Sequence, residues 1–128
     1  MRVVVCGGRD YTDEDVITAE LSLLPPGTVV VHGDAQGADT TAGEVAKALG
    51  LVVEAHPADW QRCGRGAGLR RNAEMLSLGA DLVLAFPGGS GTADMVRKAR
   101  AAEVPVRIIG IGPSQPLPIL DEGRWSHI

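Results

Sequence analysis

The chain has 128 residues, room for one domain, with 45% hydrophobic and 22% charged residues. That is enough apolar surface for a core, which excludes disorder, and no apolar run approaches the roughly 18 residues of a membrane span. A net charge of −4 and a pI near 5.3 argue against a nucleic-acid or membrane surface as the main partner.

Val3–Cys6 is a short apolar run stopped by Gly7-Gly8, the pattern of a buried strand. Thr12 opens a helix, because Thr12-x-x-Asp15 is a weak relative of the capping box. Ile17, Leu21 and Leu24 form its stripe, and Pro25-Pro26-Gly27 stops it. Thr28–His32 is the second strand. Asp39 or Thr40 caps the second helix, with Ala42, Val45, Ala46 and Leu49 facing the core and Gly50 at its C-terminal turn. Leu51–Glu54 is the third strand.

A long loop is expected from His56 to Gly68, and it is a candidate binding element. Leu69, Ala73 and Leu76 then predict a helical face, with Arg71 and Asn72 at the helix start, closed by Gly79. Asp81–Phe86 is the fourth strand. Pro87–Gly91 is a glycine turn leading into a helix carrying Met95, Val96, Ala99 and Ala102. Pro105–Ile109 is the fifth strand.

Apolar strands alternating with helices predict an α/β fold: one Rossmann-like three-layer domain with a mainly parallel five-stranded sheet. It is expected over residues 1–112, with an irregular tail over 113–128. With 3% aromatics against 17 glycines and 8 prolines, the core should be aliphatic and tight turns numerous. Cys6 and Cys63 make no disulfide framework, Cys6 reads as a small buried hydrophobe, and the N-terminus enters the fold at once. Together these predict a reducing, cytoplasmic setting.

Ligands of such sheets bind at the strand carboxyl ends. Four segments are expected there. Pro87-Gly88-Gly89-Ser90-Gly91-Thr92 is the sharpest. It lies between a strand and a helix, so free backbone N–H groups and the positive end of the helix dipole converge where glycines permit close approach. Ser90 and Thr92 add hydroxyl donors, and a phosphate is the natural guest. Gly7-Gly8-Arg9-Asp10 is the second segment. Gly33 through Asp39 is the third, with Gly37 in its turn and Asp34 as a candidate acceptor for a sugar hydroxyl. The fourth carries Arg62, Arg65, Arg70 and Arg71, with no acidic residue from Gln61 to Asn72; arginine suits bidentate contact with phosphate. Trp60 is placed either to stack on a base or to anchor its loop. His32, His56 and His127 with the two cysteines lack zinc-site spacing, so neither metal nor cofactor is expected.

Taken together, these loops resemble the SLOG superfamily, which joins the LOG phosphoribohydrolases to the DNA-processing protein DprA. Phe86 through Thr92 is similar to the LOG signature PGGxGT. The closer resemblance is to the YspA-like branch. It is carried by Gly7–Asp10, His32-Gly33 through Gly37-Ala38-Asp39, Pro57-Ala58-Asp59-Trp60, Gly68 with Arg71-Asn72, and the glycine signature followed by Ala93-Asp94-Met95-Val96.

This resemblance, over about residues 2 to 110, implies a nucleotide or nucleotide-derived ligand and a homo-oligomer, a dimer. LOG enzymes cleave the N-glycosidic bond of nucleoside 5′-monophosphates, with a PGGxGTxEE motif and an upstream arginine. Arg71 is most similar to that arginine. Asp94 stands at the first glutamate, and Met95, at the second, cannot do acid–base work. Binding for sensing or processing therefore leads, and an N-glycosidase using Asp94 and Arg71 is the alternative, with Asp10 and Asp34 as further carboxylates. Single-stranded DNA binding, by analogy with DprA, fits poorly with four aromatics and an acidic pI.

Overall fold

The computed structural model describes residues 1–59 and 64–110. Trp60, Arg62, Cys63 and the expected tail over 113–128 lie outside them, as does the side chain of Arg65. The strands are β1 (Arg2–Cys6), β2 (Val29–His32), β3 (Val52–Ala55), β4 (Leu82–Ala85) and β5 (Val106–Ile108). The helices are α1 (Glu14–Leu21), α2 (Ala38–Ala48), α3 (Ala67–Ser77) and α4 (Ser90–Ala101), with a 3₁₀ turn at Gly64–Gly66 before α3.

All five strands are parallel, in the order β3-β2-β1-β4-β5. This is a Rossmann-like α/β sheet. Alternation along the strands divides the core in two, as period-2 side chains require. Val3, Val5, Val30, Leu84 and Phe86 face α1 and α2, joining Ile17, Leu21, Ala42, Val45 and Ala46. Val4, Cys6, Val31, Val83 and Ala85 face the other way, joining Met75 of α3 and Met95 and Ala99 of α4. The chain changes faces between β3 and β4. The carboxyl ends of β1 and β4, adjacent in the register Cys6↔Ala85, therefore lead to opposite sides of the sheet. Such a divergence is where open α/β sheets take ligands, in the crevice outside the strand carboxyl ends.

Three local expectations are corrected. The first helix is capped by Asp13, not Thr12: the Asp13 carboxylate accepts the Val16 N–H, and the helix ends at Leu21, before Leu24. α3 begins at Ala67 rather than near Arg71. Ala67 is 1% exposed, so packing overrides the weak helix propensity of its glycine neighbours. The buried face of α3 is Ala67, Asn72 and Met75, whereas Leu69 and Ala73 point outward. No helix among the described residues is long and apolar enough to cross a membrane.

Candidate functional site

The glycines of the β1 and β4 loops are packed backbone to backbone. Gly8 donates its N–H to the Pro87 carbonyl at 2.7 Å. The Gly8 carbonyl accepts from Ala38 at 3.1 Å and Tyr11 at 3.2 Å. A Cβ on Gly88 would collide with the Thr92 hydroxyl and lie 2.6 Å from the Gly8 nitrogen. One on Gly37, which has φ of 78°, would strike the Gly8 and Arg9 carbonyls. These approaches bring three of the four expected segments to one place and leave no room for side chains between them. Tyr11 stacks on Phe86 with ring centroids 5.5 Å apart, a contact between the residues that flank the two glycine loops. The sequence reading gave Tyr11 no such part.

The start of α4 is open. Gly89 holds the N-cap position, and no side chain caps the helix. The first-turn N–H groups have no intrahelical partner, and the dipole adds partial positive charge there. Gly88, Gly89, Ser90 and Gly91 are exposed. Ideal Cβ positions on Gly89 and Gly91 meet nothing within 4 Å.

Arg71 crosses from α3 to the end of β2. Its Nη1 donates to the Gly33 carbonyl at 2.6 Å, and its Nε to Asn72 Oδ1 at 3.1 Å. Asn72 turns its amide to the Gly91 carbonyl at 3.2 Å and to Asp94 Oδ2 at 3.0 Å. A continuous polar link thus runs from the β2 loop to the first turn of α4. Arg70 is exposed on the same helix. Arg9 and Asp10 are exposed on the β1 loop.

Asp39 lies in the first turn of α2 but is not a cap. It is 6% exposed, and its Oδ2 accepts the Gly33 N–H at 2.8 Å. Burial pushes this carboxyl up to about 6, against the Gly33 hydrogen bond and the Arg71 charge. The Gly33 peptide is therefore gripped on both sides, by Asp39 on its N–H and by Arg71 on its C=O. Thr40 is not the cap either, since its hydroxyl donates to the Ala35 carbonyl at 2.7 Å.

Asp94 is buried on the inner side of α4. Its Oδ1 accepts from Arg97, and its Oδ2 from Lys98 at 2.8 Å as well as from Asn72. Burial acts to raise its pKa, but the bonds from Lys98 and Asn72 and the charges of Lys98 and Arg97 outweigh it and hold the carboxyl below its ordinary value. Both oxygens are thus engaged with neighbours of the same domain. Cys6 is buried, and burial pushes its thiol up to about 12, so it serves as packing.

Comparisons with known proteins agree with the motifs. A family model described as "YAcAr: YspA, cpYpsA-related SLOG family" matches residues 1–63. The chain is also 41% identical over 123 residues to the Gene 61 protein of Mycobacterium phage D29, an alignment covering 88% of this chain and 98% of that protein.

Proposed function

The chain belongs to the YspA, cpYpsA-related SLOG family, and from that premise we propose that it binds a nucleotide or nucleotide-derived ligand at the β1/β4 crevice. Family membership suggests nucleotide-related binding or processing. The finer reading seats a phosphate on Gly88, Gly89, Ser90, Gly91 and Thr92 at the start of α4. Arg71 neutralises it, with Arg9 from the facing loop. Gly7, Gly8, Asp10, Gly33, Asp34, Gly37, Asp39 and Asn72 line or brace the remainder.

The observation that carries this reading is the uncapped, exposed start of α4 beside glycine backbones too close for any side chain. Such a terminus is a ready anion site. Arg71 is tied to that helix turn through Asn72. It uses only part of its five-donor fork on Gly33 and Asn72 and keeps donors for a ligand.

Binding without hydrolysis is favoured over N-glycosidase chemistry. A LOG-like N-glycosidase would use the carboxylate of the glycine signature on the sugar or on water. Asp94 is committed to Asn72, Arg97 and Lys98, and the next position is the buried Met95.

Calorimetry with nucleoside monophosphates tests the proposal. Micromolar binding is expected, weakened at least tenfold by Arg71→Ala and by Gly89→Asp. The second variant projects into open space and places a negative charge where the helix start favours one. It therefore keeps the fold while competing with the phosphate. No heat with any nucleotide, or unchanged affinity in both variants, would overturn the proposal.

A further inference from the structure

His32 ends β2 and is 4% exposed. Its Nδ1 accepts the Asp34 N–H at 2.9 Å, which puts the ring proton on Nε2. Burial lowers its pKa, against the pull of the Asp34 charge, and keeps the ring neutral. Asp34 itself has φ of 57°, in the left-handed region. The other described non-glycine residue there, Glu103, follows the end of α4, where left-handed residues are common. Asp34 follows a strand and is exposed. Among the described residues its carboxylate accepts no hydrogen bond and joins no ion pair.

Room for the imidazole comes from α2. Gly43 is buried in the middle of that helix, and a Cβ there would lie 2.8 Å from His32 Nε2. A mid-helix glycine is unfavourable against alanine, and this one leaves space for the ring that fixes Asp34.

We propose that Asp34 reads the sugar of the bound ligand, accepting a hydrogen bond from a ribose 2′-hydroxyl, and that His32 is its positioning residue. The inference rests on the nucleotide reading above. β2 is two strands from β4, a separation of about 10 Å. A sugar attached to a phosphate at the start of α4, together with an aspartate side chain and one hydrogen bond, bridges that separation. An ionised carboxylate only accepts. It therefore selects a hydroxyl donor, discriminates against a 2′-deoxy sugar and repels a 2′-phosphate. The ligand class this implies is a ribonucleotide with a free 2′-hydroxyl.

The test is equilibrium dialysis with the four ribonucleoside 5′-monophosphates, their 2′-deoxy counterparts and adenosine 2′,5′-bisphosphate. The protein is expected to favour the ribo form of its preferred base about tenfold or more, the scale of one hydrogen bond to a charged acceptor. Asp34→Ala should bring that ratio to about one and improve relative binding of the bisphosphate. His32→Leu should lower the ratio. His32→Asn should restore it, because an asparagine carbonyl accepts from the N–H two residues on. Gly43→Ala, which keeps His32 but crowds its ring, should lower the ratio as well. A wild-type ratio near one, or equal weakening of both sugars by Asp34→Ala, overturns the inference and leaves the nucleotide site standing. An unchanged ratio in both His32→Leu and Gly43→Ala overturns the role of His32. Absence of binding by every probe overturns this inference and the proposed function together.

Discussion

Gly88→Ala probes the crevice floor without touching any charged group. The added methyl would lie 2.6 Å from the Gly8 nitrogen and 2.9 Å from the Gly7 carbonyl carbon, besides striking the Thr92 hydroxyl. Thr92 can rotate away. The Gly7-Gly8 backbone cannot, because Gly8 is bonded to Pro87 through its N–H and to Tyr11 and Ala38 through its carbonyl. Overpacking against a fixed backbone costs about 1–3 kcal/mol. Urea unfolding at pH 7 should show that loss as a lower midpoint at unchanged slope. Gly91→Ala is the matched control. Its methyl meets nothing within 4 Å and lies in the first turn of α4, so it should leave stability unchanged or raise it by up to about 1 kcal/mol. Equal stability of the two variants would refute the close packing of the β1 and β4 loops.

Two buried aspartates should respond to pH in opposite senses. Asp39 is raised from 3.8 to about 6 in the folded chain, so between those values the folded state binds more protons than the unfolded one. Stability from this group is present below about pH 4 and is lost as pH rises to about 6, by about 2–3 kcal/mol in all. Relative to Asp39→Asn, whose amide oxygen can still accept the Gly33 N–H, the wild type should lose that much between pH 4 and 7; a constant difference in urea titrations would contradict the burial argument. Asp94 is held below its ordinary value, so its contribution is present above the unfolded carboxylate range and is lost in acid. Asp94→Asn should cost about 1–3 kcal/mol at neutral pH by turning an amide N–H toward a cationic donor. That cost should shrink below pH 4, and one that persists there would count against the ion-pair reading.

The sheet was legible because its signal is local. Val3–Cys6, Thr28–His32 and Asp81–Phe86 are apolar runs stopped by glycine or proline, and each matches a strand within a residue or two. The glycine turn before α4 was legible for the same reason. What escaped was set by hydrogen-bond partners rather than by residue pattern. Asp39 has the residue type of a cap, yet its carboxylate is taken by Gly33. Arg71 meets Gly33 across 38 positions, which no periodicity encodes. The sequence places His32 at a strand end and in the family motif, whereas its neighbour two residues on gives it its part. One sequence signal could have pointed there: Gly43 interrupts an otherwise favourable helix, and such a glycine marks a close approach. The face of α3 was misread because its buried side includes a polar residue, Asn72, while Leu69 is 48% exposed.

The central claim is that this crevice holds a nucleotide without cleaving it. Excess protein is incubated with a mixed panel of nucleoside monophosphates, cyclic nucleotides and ADP-ribose derivatives. It is then removed by ultrafiltration, and the filtrate is compared by mass spectrometry with a protein-free control. The account predicts depletion of a phosphate-bearing nucleotide with no new product, and its recovery in the filtrate of Gly89→Asp. Full recovery of every compound, or appearance of free base with a sugar phosphate, would contradict it.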